Sequence, residues 1–219
     1  RGKGIIKWLH GLKQLSFRLM LTSDAKLSSR IVTPTRYVGE QLIKRLGANP
    51  AKVQVTLLAA DPQVAEPASL SRLGELGEFL FYVGNMYPYK NVGSTIEALV
   101  KLSDTHPNLK LIAAGTRDAF SAELEKKAQD LGVGDRVKFV GYVSDGEKVA
   151  LYRAAAVYVN QSLSEGFGLQ GLEAMAQGTP VAAAKASCLP EVYGAAAEYF
   201  DPTSPQDQAI VIGRILDDA

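Results

Sequence analysis

Short apolar runs rich in β-branched residues alternate along this chain with amphipathic stretches, and that alternation limits the fold more than any other feature. The runs are Ile31–Thr33, Val53–Leu57, Phe79–Val83, Leu109–Ala114, Val137–Val140, Val157–Asn160 and Pro180–Ala183. Between them, Tyr37–Leu46, Ser94–Ser103, Ser121–Leu131, Glu147–Ala154 and Leu169–Gln177 carry helical spacing. Strands buried on both faces read as continuous apolar runs, and a helix between two of them makes the neighbours parallel. The pattern predicts an α/β protein with a doubly wound, Rossmann-like parallel sheet.

The period fails between Ala60 and Gly77, where Asp61, Pro62, Pro67, Gly74 and Gly77 punctuate the chain. We read 61–77 as a linker. Two strand runs precede it, too few for a stable sheet, and five follow it. Residues 1–60 then read as the tail of one α/β domain and 78–205 as a second. Residues 206–219 read as the start of a C-terminal helix with Ile210, Ile212, Ile215 and Leu216 at its apolar positions. Arg1-Gly2-Lys3 is no natural start and the last helix has no terminal cap, so we expect a piece of a longer protein.

Composition narrows the function. A net charge of +1 gives no general attraction to nucleic acid. The single cysteine, Cys188, excludes an internal disulfide framework and fits a reducing cytoplasm. No apolar run reaches the roughly 18 residues of a membrane-spanning helix.

Chemistry concentrates between Ser162 and Pro180. There the strand run Val157–Asn160 gives way to Glu165-Gly166-Phe167-Gly168-Leu169, a helical stretch containing Glu173, and a stop at Gly178 and Pro180. Glycines let backbone approach a ligand, and free N–H groups at a helix start favour a phosphate. Glu165 and Glu173 stand eight positions apart. A helical path of that length covers roughly 12 Å, comparable to the span from a sugar ring to a ribose across a diphosphate. Carboxylates at both ends would accept hydrogen bonds from hydroxyls. A single glutamate there is better explained as a solvated surface residue; the whole pattern is better explained as a site.

This stretch resembles the E-x7-E motif of retaining glycosyltransferases with the GT-B fold, family 4 in particular. Tyr82-Val83-Gly84-Asn85 through Pro88-Tyr89-Lys90-Asn91 is similar to that family's first strand and loop of the donor domain. Leu111–Gly115 resembles its next strand and glycine turn. Phe139–Ser144 resembles its base-binding turn, and Ala186–Val192 the segment after the Pro180 strand. The resemblance spans roughly residues 30–205 and would make the chain the C-terminal half of a two-domain GT-B protein plus a remnant of the first domain.

The resemblance implies roles. Glu165 would contact hydroxyls of the transferred sugar, and Glu173 the ribose. Backbone N–H groups of Phe167, Gly168 and Leu169 would meet sugar and phosphate, and Gly166 would border the donor beside them. Lys90 would neutralise the diphosphate leaving group, which makes Glu165 and Lys90 the catalytic candidates. Gly84, Asn85 and Gly115 would border the donor, and backbone around Val143 would meet the base. There are departures. Asn85, Met86 and Tyr87 stand where some members carry an arginine, which leaves one cation or brings in Arg117. Gln170 and Gly171 replace common prolines, and Ala59-Ala60 a common Asn-Gly pair.

The implied reaction transfers a hexose, with retention, from a UDP- or GDP-sugar to a carbohydrate or lipid-linked acceptor in cell-surface polysaccharide or glycolipid synthesis. No Asp-x-Asp pair is present, and no metal or other cofactor is expected. The acceptor side is expected to be missing, so this chain would bind donor without transferring sugar. Two other readings are a non-catalytic nucleotide-sugar-binding subunit and a nucleotide-sugar epimerase on the same fold. Ile5, Ile6, Leu9, Leu12, Leu15 and Leu19, with Lys3, Lys7, Lys13 and Arg18, predict an amphipathic first helix. It reads first as a helix packed on a domain, with Trp8 in the core, and second as a contact with the inner membrane face.

Overall fold

The computed structural model describes the backbone of residues 2–61 and 65–218, with side chains from residue 12 onward. Residues 62–64 of the predicted linker, and the side chains of Ile5, Ile6, Trp8 and Leu9, lie outside the described residues. The chain divides into two compact units, Arg1–Leu58 and Ala59–Ala219.

The first unit holds α1 (Gly2–Leu27), β1 (Ile31–Thr33), α2 (Arg36–Leu46) and β2 (Val53–Val55). β1 and β2 pair in parallel, Ile31 opposite Val53. Thr35 starts α2 by accepting a hydrogen bond from the Val38 N–H at 3.2 Å. Gly47, at φ 66°, ends the helix in the left-handed region. A Cβ on Gly39 would come within 3.0 Å of Val53 Cγ1, so glycine lets α2 lie close to β2. Along α1, Leu12, Leu15, Phe17, Leu19 and Met20 are exposed.

The second unit continues with β3 (Phe79–Val83), α3 (Val92–Lys101), β4 (Lys110–Ala114), α4 (Ala119–Asp130), β5 (Val137–Gly141) and α5 (Asp145–Ala154). It ends with β6 (Val157–Asn160), α6 (Leu169–Ala176), β7 (Val181–Ala184), α7 (Leu189–Tyr193), β8 (Glu198–Phe200) and α8 (Pro205–Asp217). Its strands form one sheet in the order β5-β4-β3-β6-β7-β8. Every pairing is parallel. The doubly wound α/β expectation therefore describes the fold.

β3 lies mid-sheet between β4 and β6, with Leu80 opposite both Leu111 and Val157. Phe79, Leu80 and Phe81 are buried. Burying each such side chain contributes about 1.5–3 kcal/mol. Phe81, Tyr152 and Tyr158 pack edge to face in the core. Ser144 and Glu147 close a capping box on α5, and Asp118 with Ser121 does so on α4.

Three features depart from the sequence reading. The first is β8, a three-residue strand whose Glu198 is exposed, so it shows no apolar run. The second is α7, five residues long with Pro190 in its first turn, too short to show a helical period. The third concerns boundaries. Leu73 and Leu76 of the expected linker are buried in the core of the second unit. α8 begins at Pro205, is capped by Ser204, and packs into the same unit through Val211 and Ile212. Buried Gln208 fastens it to α3, donating to Thr95 Oγ1 at 2.7 Å and accepting from Ser94 Oγ at 2.9 Å.

Candidate functional site

Strand order runs outward in opposite directions from β3 and β6: β4 and β5 on one side, β7 and β8 on the other. Open α/β sheets bind ligands outside the carboxyl ends at such a reversal. The loop leaving β3 carries Lys90, and the loop leaving β6 carries Glu165. The structure brings them together: Lys90 Nζ lies 2.6 Å from Glu165 Oε1, with side chains only 11% and 13% exposed. Pro88 begins the short 3-10 turn Pro88–Lys90, and the Lys90 ammonium lies 5.4 Å from the centre of the Tyr89 ring.

Further bonds stitch the two loops. The buried Gln161 side chain donates from Nε2 to the Lys90 carbonyl at 2.9 Å. The Leu163 N–H donates to the Tyr89 carbonyl at 2.8 Å. Gln161 Oε1 and Ser162 Oγ are buried acceptors without a hydrogen-bond partner among the described residues. The Glu165 N–H donates to Ser187 Oγ at 3.0 Å. The Glu165 carbonyl accepts from the Cys188 thiol at 3.2 Å. Burial pushes that thiol's pKa up to about 11.

Glycines bring the strand ends together. The Gly84 N–H donates to the Ala114 carbonyl, and the Gly115 N–H to the Gly141 carbonyl, each at 2.9 Å. A Cβ on Gly115 would stand 1.9 Å from the Gly84 oxygen, so no larger residue fits. Asn85 contributes its carbonyl, which accepts from the Tyr82 hydroxyl at 2.5 Å. Burial and the Glu165 charge push the Tyr82 phenol well above its usual range. On the other loop Gly168, at φ 90°, precedes α6, whose N-terminus has no side-chain cap. Its carbonyl accepts from the Tyr193 hydroxyl at 2.6 Å, and that oxygen accepts from Asn160 Nδ2 at 2.9 Å. Gly166 and Leu169 flank this segment, and Phe167 is buried beneath it.

Glu173 lies further along α6. It accepts from Lys148 Nζ at 3.2 Å and from the Tyr152 hydroxyl at 3.0 Å. Each motif glutamate thus faces a lysine. The two are not joined by a continuous helix, because α6 begins at Leu169 and the stretch from Glu165 to Gly168 is loop. The 12 Å helical estimate therefore does not describe their separation. Gly168 in the left-handed region ends the loop, and only the residues after it are helical.

Val143 lies in the turn between β5 and α5. Arg72 Nη2 donates to the neighbouring Tyr142 carbonyl at 3.1 Å, and the same guanidinium pairs with Glu147. That pairing, helped by the Ser144 N–H, holds the Glu147 carboxyl at about 2. Arg117 is engaged by other groups. It donates to the Phe139 carbonyl at 2.8 Å and pairs with Glu125 at 2.5 Å. Reading the sequence missed Gln161, Tyr193, Lys148 and Arg72. Tyr193 and Gly171 signal one another only in space, and Arg72 lies in a stretch with no period. Among the described residues, no group of three or more His, Cys, Asp or Glu side chains is placed to hold a metal ion.

The six-stranded parallel sheet, with its loops converging at the reversal, places the second unit in the Rossmann-like class. Solved structures narrow this. The HepE protein of Anabaena, crystallised with UDP and glucose, superposes with a TM-score of 0.81 at 23% identity, over 94% of this chain and 58% of that one. The C-terminal domain of a group 1 glycosyl transferase, LpcC of Francisella tularensis, superposes at 0.62 with 27% identity, over 73% of this chain and 89% of that domain. The fold is that of GT-B C-terminal domains. Residues 71–219 match the family model for glycosyl transferases group 1, and the chain belongs to that family. A D-inositol 3-phosphate glycosyltransferase of Acidothermus cellulolyticus is 32% identical over 206 residues, which cover 87% of this chain and 46% of the relative. The chain thus spans about half the length of such relatives.

Proposed function

We propose that the second unit binds a nucleoside diphosphate sugar and that the whole protein transfers its hexose to a carbohydrate or lipid-linked acceptor with retention. The observation that carries this reading is the meeting of Lys90 and Glu165 where strand order reverses. Departure of a nucleoside diphosphate builds negative charge on the β-phosphate. Lys90 and the uncapped N-terminus of α6 lie on the two loops that would face it. Glu165 then serves the sugar hydroxyls, and Glu173, with Lys148 beside it, the ribose. The base meets the turn around Val143. Gly84, Asn85, Gly115, Gly166, Phe167, Gly168 and Leu169 complete the donor surface through their backbones. HepE with UDP and glucose supports a uridine donor of this kind. The reading carries no metal and no other cofactor.

Membrane contact belongs to the same proposal. The exposed Leu15, Phe17, Leu19 and Met20 lie on α1 with Lys13 and Arg18, a composition suited to an anionic surface. No helix among the described residues is long and apolar enough to cross a membrane.

Titration calorimetry against UDP-, GDP-, ADP- and dTDP-sugars tests the donor reading. We expect one nucleotide class to bind, and Glu173→Ala to weaken that binding at least about tenfold, the loss of a charged hydrogen bond. Full binding by Glu173→Ala, or no binding by any nucleotide, would overturn the assignment.

A further inference from the structure

The ammonium assigned to the diphosphate is held by the carboxylate assigned to the sugar. Both side chains are nearly buried, so water screens neither charge well. From this we infer that Glu165 also sets the balance between two ligands, disfavouring the bare nucleoside diphosphate relative to the nucleotide sugar. The inference rests on the donor reading of Lys90.

A bare nucleoside diphosphate brings its terminal phosphate towards Lys90. It must draw the ammonium away from Glu165 and leaves that carboxylate unpaired beside another anion. A nucleotide sugar brings hydroxyl donors along with its phosphates. Those hydroxyls give Glu165 new partners while the ammonium turns to the phosphate. Once the sugar has left, the hydroxyls are gone and Glu165 again competes for Lys90. The same carboxylate therefore admits the charged donor and drives out the spent nucleotide. Gln161 keeps the contest local, because it anchors the Lys90 carbonyl and only the ammonium end has to move.

Calorimetry on the 219-residue chain tests this with UDP, GDP, UDP-glucose and GDP-mannose. The variants are Glu165→Gln, Lys90→Gln and the double exchange. Whichever bare diphosphate binds the unaltered chain should bind Glu165→Gln about tenfold more tightly, as expected for freeing the ammonium from a poorly screened carboxylate and removing that carboxylate's repulsion of the phosphate. The matching nucleotide sugar should gain less or lose affinity, so preference for the sugar form falls. In the Lys90→Gln background, Glu165→Gln should give a clearly smaller gain, since only the direct repulsion between carboxylate and phosphate is left to remove. Thermal melts check folding, and Glu165→Ala, which should shift the diphosphate in the same direction, stands in if the Gln variant is unstable. Unchanged or weaker diphosphate binding by Glu165→Gln overturns the inference, as does a gain that is undiminished without Lys90. If Glu173→Ala abolishes binding while Glu165→Gln leaves it unchanged, this inference alone falls. If no diphosphate and no nucleotide sugar of the UDP, GDP, ADP and dTDP series binds the unaltered chain, the donor reading falls and takes the inference with it.

Discussion

A single methyl group decides whether Tyr193 can hold the glycine loop. A Cβ on Gly171 would lie 2.3 Å from Tyr193 Cζ, so alanine there forces the ring away. The displaced hydroxyl then loses the Gly168 carbonyl and Asn160. We expect Gly171→Ala to cost about 1–3 kcal/mol, the usual range for overpacking. Tyr193→Phe should cost about 1–2 kcal/mol by leaving buried partners unsatisfied. The double variant should cost less than the two together, since both remove the same contacts. Urea unfolding of the three variants checks this, and strict additivity would refute it. At this scale the sequence was only half legible. Lys90, Glu165 and Glu173 stood out because glycines and strand ends framed them. Their partners Gln161 and Lys148 did not, because each lies on a segment remote in sequence and only the folded sheet brings them near.

Elements were more legible, since a run such as Phe79–Val83 announces a strand buried on both faces. β8 did not, because an edge strand with an exposed glutamate lacks that run. Nor did the packing of Leu73 and Leu76 show in a stretch punctuated by Pro67 and Gly74. Arg72, in that stretch, fastens the turn between β5 and α5 through Glu147. The Glu147 carboxyl is depressed from 4.5 when unfolded to about 2 when folded. Its contribution is therefore fully present above the unfolded value and lost as pH falls through the folded one. We expect Glu147→Gln to melt below the unaltered chain at neutral pH, and the gap to close between about pH 4.5 and 2. A gap independent of pH across that window would show that the ion pair does not stabilise the turn.

For the molecule as a whole, every candidate site residue from Gly84 to Glu173 lies in the second unit. Residues 59–219 expressed alone should therefore fold cooperatively and bind the same nucleotide within about threefold of the longer chain's affinity, a difference under 1 kcal/mol. Fluorescence titration of both proteins decides it, and loss of binding on removing 1–58 would refute it. The order of motifs along the chain made this division readable in outline. The start of the second unit near residue 59, ahead of the expected 78, was less so, because burial of Leu73 and Leu76 depends on side chains the linker composition does not announce.

Cys188 gives the loop a clock. It is the chain's one cysteine, fully buried, with its thiol on the Glu165 carbonyl and its pKa raised to about 11. Alkylating reagents attack thiolates, so in the closed loop it is all but inert at neutral pH. Its labelling rate then counts how often the Glu165–Cys188 contact opens. A bound nucleotide sugar that holds Glu165 in place should slow that count, and a stopped-flow or mass-spectrometric time course would read it without any assay of transfer.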